Sequence, residues 1–181
     1  MSHSKTNPQI VLRPQDVVVL LRLSLAQDGV PAYAALAGEL KLTASEIHAG
    51  VERAVAAQLA RKDAAGRPAV LLEPLRLFVQ HGVRYCFPAT RGEMTRGMAT
   101  GYAAAPLKAL IVQPNEPPSV WPHKLGTLRG AAFYPLYPTV PEAALANPAL
   151  YELLVLVDAV RGGSLRERAL AIAELDKRWS A

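Results

Sequence analysis

Four basic residues in the first half of the chain could contact phosphate groups. Arg53, Arg61, Lys62 and Arg67 lie close together in the sequence, with one acid, Asp63, among them. Lysine and arginine bind nucleic-acid phosphates because binding releases condensed counterions. The alternative is a solvated helix end, where cations also interact favourably with the helix dipole. We interpret the cluster as a set of phosphate contacts.

Two further arginines, Arg91 and Arg96, each precede a glycine in the stretch TRGEMTRG. Glycine lets backbone amides approach an anion, so a flexible loop here could supply additional anion contacts. The alternative is a plain basic loop whose arginines pair with acids elsewhere or contact DNA. The chain contains neither the phosphate-loop pattern nor the dinucleotide-binding fingerprint, so no nucleotide cofactor is expected.

The sequence contains no pattern typical of a metal site or of a catalytic nucleophile. The four histidines, residues 3, 48, 81 and 123, lack the spacing of metal ligands, and the single cysteine, Cys86, cannot complete a cysteine-based zinc site without distant help. No nucleophile elbow is present. We therefore expect no metal, no cofactor and no enzymatic activity.

Composition and charge favour a globular protein with an anionic partner. Of the 181 residues, 51% are hydrophobic and 19% charged, and the net charge is +5. The excess lies in residues 74–140, with 7 Lys/Arg against 2 Asp/Glu. No apolar run is long enough for a membrane span, and the start, MSHSKTNPQ, lacks the apolar middle of a signal peptide. We expect a cytoplasmic protein.

The elements that would position the basic residues are three helices and a hairpin. The pattern predicts a first helix from Pro14 that stops by Gly29, and a second after Pro31. Thr43 and Glu46 form a capping box at the start of a third, whose apolar residues recur every four positions. The turn GRP and the apolar run after it predict a hairpin whose second strand is AVLLE.

The tract YAALAGELKLTASEIHAGVERAVAAQLARKD resembles the winged helix-turn-helix transcriptional regulators of bacteria. The resemblance rests on Ala37, the leucines before the turn, Ser45 and the apolar positions after it, and it extends over about residues 14–73. It implies that the third helix enters the major groove and that the hairpin, as the wing, lies beside the phosphates. The DNA-binding residues it implies are Ser45, His48, Ala49, Arg53, Arg61, Lys62 and Arg67.

The rest of the chain is expected to form mixed structure that ends in two helices. PLRLFVQHG predicts a short helix and VRYCFP a strand, while residues 106–141 contain eight prolines and predict an irregular segment with short strands and buried aromatic residues. An αα-hairpin follows, with caps at Asn147 and Ser164. The tract from VRYCFPATRG onward is similar to uncharacterised bacterial winged-helix proteins, some of them in toxin–antitoxin-like gene pairs.

The sequence thus predicts an α+β protein with three parts. These are an N-terminal arm (1–13), a winged helix (14–88) and an effector, partner-binding or dimerisation region (89–181). The expected function is a DNA-binding transcriptional regulator that represses as a homodimer. Two alternatives stay open: an antitoxin or partner-binding protein that autoregulates, and a protein-interaction module, which the short side chains of the third helix allow. The apolar αα-hairpin is expected to hold the dimer, with packing inside one chain as the rival.

Overall fold

The structure is a computed structural model that describes residues 9–26 and 29–180. It has the α+β class that the sequence predicts, with helices as the larger part and small sheets. Most of the predicted N-terminal arm lies outside the described residues. Within the described ranges, no helix is both long and apolar enough to cross a membrane.

Three helices and a pair of short antiparallel strands form the N-terminal part. They are α1 (Pro14–Ser24), α2 (Tyr33–Leu40), α3 (Ala44–Ala56), β1 (Ala60–Lys62) and β2 (Pro68–Val70). The helix starts follow the local signals, because a proline opens α1 and Thr43 caps α3. The strand predicted for AVLLE is shorter than expected. It ends at Val70 because the chain turns into helix at Leu72, where Pro74 fits the first helical turn.

The segment after β2 is helical throughout, so the strand predicted for VRYCFP is wrong. Helix α4 (Leu72–Leu77) continues through a π-helical turn (Phe78–Gly82) into α5 (Val83–Cys86). Val79 and Val83 are both fully buried. They are four residues apart, so helical geometry places both on the core face, and this burial outweighs the strand preference of the local residue types.

Three strands form a small closed sheet in which each pairs with both others. They are β3 (Arg91–Ala99), β4 (Ser119–Pro122) and β5 (Leu128–Phe133), and β3 is antiparallel to the other two. The flexible loop predicted for TRGEMTRG is therefore wrong. Gly97 lies directly against the carbonyl of Trp121, and Gly126 packs on the backbone of Gly97. Any side chain at either position would separate the strands, so these glycines serve close packing rather than a loop.

The C-terminal helices enclose the centre of the core. A 3₁₀ turn (Gly101–Ala103) and α6 (Leu107–Leu110) precede α7 (Val140–Ala146), α8 (Pro148–Gly162) and α9 (Leu165–Trp179). Helix α8 is buried on all sides from Leu153 to Arg161, and it contacts α1, α5, α7 and α9. The apolar surface predicted to hold a dimer is therefore largely buried within the chain. One exception is Leu165, which is 81% exposed.

The hydrophobic core is continuous from α1 to α9. Polar contacts also join helix α2 in the N-terminal part to the segment around α7 in the C-terminal part. The Thr139 hydroxyl donates to the carbonyl of Leu40 at 2.8 Å, and the Asn147 amide donates to Glu39 at 2.7 Å. The sequence boundary predicted near residue 88 thus runs through one shared core. The predicted burial of aromatic residues holds for Trp121 and Phe133, but Tyr134 is 47% exposed.

A buried polar cluster, which we call the Asp158 network, fixes the three-stranded sheet on α8. The Asp158 carboxylate accepts hydrogen bonds from Thr100 Oγ1 at 2.9 Å, Trp121 Nε1 at 2.5 Å and Arg161 Nη1 at 2.6 Å. Arg161 also donates to the carbonyl of Phe87 at 2.8 Å. Burial raises the pKa of the Asp158 carboxyl, an effect that the Arg161 charge opposes.

Candidate nucleic-acid interface

The outer side of α3 presents the first group of predicted DNA-binding residues. Ile47 and Val51 face the core, so the turn that carries Ser45 and His48 points outward. The His48 side chain is 59% exposed, Ser45 is exposed, and Ala49 is half-buried. The start of α3 is fixed by the predicted capping box. The Glu46 amide donates to Thr43 Oγ1 at 3.1 Å, and the Thr43 amide donates to the Glu46 carboxylate at 2.7 Å.

Thr43→Ala is expected to lower the free energy of unfolding by about 1 kcal/mol, because it leaves a backbone amide at the start of α3 without its acceptor. Urea unfolding followed by circular dichroism measures this. Ser45→Ala is the matched control, since Ser45 is exposed and lies inside the helix. Equal midpoints for the two variants would show that the cap contributes nothing to stability.

The turn between β1 and β2 presents the second group. Arg61, Lys62 and Arg67 are all exposed. Asp63 shapes the turn, because its carboxylate accepts from the Arg67 backbone amide at 2.9 Å and from Arg67 Nε at 2.8 Å. These bonds hold the pKa of Asp63 below its ordinary value. Gly66, with a φ of +76°, completes the turn in the left-handed region.

Two of these cations are paired and one is not. Lys62 donates to Glu52 on α3, and Arg67 pairs with Asp63. Arg61 has no ion pair or side-chain hydrogen bond among the described residues. Exposed pairs of this kind contribute about 0–1 kcal/mol, so a phosphate can replace either carboxylate at small cost. Three cations against two carboxylates leave this surface with a net charge of +1.

A groove of about 360 Å³ brings His48 of the first group together with Lys62 and Arg67 of the second, whereas Ser45, Ala49 and Arg61 do not line it. His48, Lys62 and Arg67 line it, together with Tyr33 and the segment 30–32. The rings of Tyr33 and His48 meet edge to face with centroids 5.9 Å apart. Burial raises the pKa of the Tyr33 hydroxyl. The sequence analysis missed Tyr33, although an aromatic residue at the start of the second helix was a usable signal.

Arg53 does not belong to this surface, which corrects the sequence prediction. Its guanidinium turns inward and donates to both carboxylate oxygens of Asp16, with Nε and Nη2 each at 2.7 Å. Asp16 is fully buried in α1, and its Oδ2 also accepts from the Arg13 amide at 2.8 Å. The hydrogen bonds to Asp16 raise the pKa of Arg53 above its ordinary value. Arg53 therefore joins α3 to α1 and is not available to phosphate.

The two arginines predicted for an anion-binding loop are both in β3, and they differ in environment. Arg91 donates to the carbonyl of Gly162 at 2.9 Å and to Ser119 Oγ at 3.3 Å, and its guanidinium lies 5.1 Å from the centre of the Phe133 ring. It therefore attaches the sheet to the end of α8. Arg96 is exposed, and its partner across the sheet is Arg129.

Comparison of the chain with protein-family models, with curated proteins and with solved structures finds no match. Its function is therefore argued from the side chains themselves. In the described ranges, no group of three or more His, Cys, Asp or Glu side chains is placed to hold a metal ion. The surface between α3 and the hairpin is one place where exposed cations, an aromatic residue and a helix meet around a groove.

Proposed function

We propose that the protein is a cytoplasmic transcriptional regulator that binds duplex DNA as a winged helix-turn-helix. In this arrangement α3 lies in the major groove and the β1–β2 hairpin, as the wing, lies against the phosphates beside it. Ser45 and His48 would face base edges, and Arg61, Lys62 and Arg67 would bind phosphate oxygens. Two copies on a palindromic site would place their recognition helices about 34 Å apart and repress by occupancy.

The groove is the observation that supports this proposal most. It joins the outer side of α3 to a hairpin whose exposed side chains include three cations, and Arg61 has no partner among the described residues. The order of three helices followed by a hairpin agrees with the same function. The side chains at positions 45 and 49 are short and offer few contacts to bases. Contacts with the phosphate backbone of the DNA would therefore supply much of the binding affinity.

We expect DNA affinity to fall steeply with salt, and Arg61→Ala and Arg67→Ala each to weaken it. Each phosphate contact contributes about 0.9 to the slope of log affinity against log salt, so each variant should lower the slope by about that amount. Fluorescence anisotropy with a duplex from upstream of the gene, from about 50 to 200 mM salt, measures both quantities.

Arg166→Ala is the control for this experiment. Arg166 is an exposed arginine on α9, so the variant removes one positive charge outside the interface. If Arg61→Ala and Arg67→Ala bind as tightly as Arg166→Ala, the hairpin is not at the DNA. If the wild-type protein does not bind the duplex at all, the proposal is wrong.

A partner-binding protein, such as an antitoxin that regulates its own gene, is the second candidate. A groove between α5 and α9 favours it, because Tyr85 and Leu165 at its sides are 75% and 81% exposed. Arg84 and Arg168 line the same groove, and the buried Nε of Arg168 has no hydrogen-bond partner among the described residues. Apolar side chains flanked by cations suit an acidic segment of another protein.

A further inference from the structure

One end of the three-stranded sheet carries three cations that form no ion pair with the described residues. Arg96 on β3 and Arg129 on β5 are direct partners across the antiparallel pair, and both are exposed. Directly opposed residues project to the same face with Cβ atoms about 5 Å apart, and like charges at that distance repel. The sheet therefore holds two positive charges together at a cost to its own stability.

Lys124 adds a third charge to the same place. It lies in the connection between β4 and β5, next to His123, whose backbone amide donates to the carbonyl of Arg96 at 3.2 Å. We call Arg96, Lys124 and Arg129 the cationic tip. Among the described residues, none of the three has a carboxylate within ion-pair distance. Glu93, the acid nearest along β3, forms no ion pair with them.

The cationic tip lies near the start of α3, across α7. Thr139, directly before α7, bonds to Leu40 in the turn that leads to α3. Glu142 on α7 approaches His123, with Oε1 3.4 Å from Nε2, and Lys124 follows His123. Helix α7 has seven residues, a length of about 10 Å. Contacts at Thr139 and Glu142 thus connect the turn before α3 with the segment that carries Lys124.

We propose that the cationic tip is a second contact with the phosphate backbone of the DNA that α3 and the hairpin bind. This rests on the proposed function and extends it to a wider footprint on one side of the recognition helix. The tip supplies three cations that have no ion pair among the described residues, whereas two of the three hairpin cations, Lys62 and Arg67, must first exchange a carboxylate for phosphate. Three phosphate contacts at the tip would add about 2.7 to the salt slope of one copy.

The strand backbone that carries Arg96 and Arg129 is fixed before DNA binds. Gly97, next to Arg96, packs on the carbonyl of Trp121, whose indole is bound to the buried Asp158. The strands that carry Arg96 and Arg129 are thus anchored to α8 through Trp121. A strand backbone that is already ordered loses no further conformational entropy when its side chains bind phosphate.

The double variant Arg96→Thr/Arg129→Thr tests the proposal. Threonine is favoured in strands and pairs well across them, so the sheet should be retained. Anisotropy with a duplex of about three helical turns should show weaker binding and a salt slope lower by about 1.8. Arg96→Lys/Arg129→Lys, which keeps both charges, should restore most of the slope. The urea midpoint of the threonine variant should be unchanged or higher, because a repulsion is removed.

Lys108→Ala/Arg166→Ala is the matched control, since it removes two exposed cations from α6 and α9. If this control lowers the slope as much as the tip variant, the effect is one of net charge and the proposal is overturned. It is also overturned if Arg61→Ala weakens binding and the tip variant does not, and then the function proposed for α3 and the hairpin still stands. If the wild-type protein binds no duplex, both proposals fail together.

Discussion

Arg53→Ala is expected to lower the free energy of unfolding by about 3–5 kcal/mol, because it leaves the Asp16 carboxylate buried without its cation. Asp16 is fully buried, and both of its oxygens accept from the Arg53 guanidinium at 2.7 Å. Among the described residues, the one other hydrogen bond to the Asp16 carboxylate comes from the Arg13 amide. Gly50 is adjacent, and a Cβ there would lie 2.9 Å from Asp16 Oδ1, so α3 packs directly on this carboxylate.

Urea unfolding of Arg53→Ala and Arg61→Ala decides this prediction. Arg61 is an exposed arginine, so its removal should change stability by less than about 0.5 kcal/mol. The double variant Asp16→Ala/Arg53→Ala should be more stable than the sum of the two single changes implies, since no charge is left unpaired. Equal stability of the two arginine variants would mean that Asp16 and Arg53 do not interact in solution.

Local sequence signals predicted the helix starts and failed for the long-range contacts. The capping residues Thr43 and Ser164 act on amides three positions later, at Glu46 and Glu167, so the sequence alone places them. Arg53 and Asp16 are 37 positions apart, and nothing near Arg53 distinguishes it from an arginine on an exposed face. A usable signal was Asp16 itself, an acid directly before the apolar run VVVLL.

The three-stranded sheet also depends on long-range contacts that local sequence signals do not predict. Glycines in TRGEMTRGMATG are typical of a loop, yet Gly97 lies inside β3 because the carbonyl of Trp121 occupies the space of a side chain. This requirement depends on residues more than twenty positions away. The exposure of Arg61, Lys62 and Arg67 in one hairpin agrees with the sequence pattern, which places them around a turn. The pairing of Arg96 with Arg129 was not predictable, because it depends on strand register, although the charge excess in residues 74–140 pointed to this region.

Asp158→Ala is expected to have an effect of similar size, about 3–5 kcal/mol, because it leaves the Arg161 guanidinium buried without a counter-charge. Arg161 is 8% exposed and Asp158 is 2% exposed. The change also removes the acceptor of Trp121 Nε1 and Thr100 Oγ1, which attach the sheet to α8. A buried donor without an acceptor costs about 1–3 kcal/mol, so the sheet should loosen before the helices do.

Two measurements distinguish local loosening of the sheet from a general loss of stability. In a Trp179→Phe background, which leaves the fully buried Trp121 as the single tryptophan, exposure of the sheet should shift its fluorescence to longer wavelength at a lower urea concentration than the loss of the helical signal. In Asp158→Leu/Arg161→Met, apolar side chains replace the whole pair, and stability should recover relative to Asp158→Ala. If Asp158→Ala leaves the fluorescence and the urea midpoint unchanged, the network does not hold the sheet. If the fluorescence of a destabilised variant shifts at the same urea concentration at which the helical signal is lost, the sheet and the helices unfold as one unit.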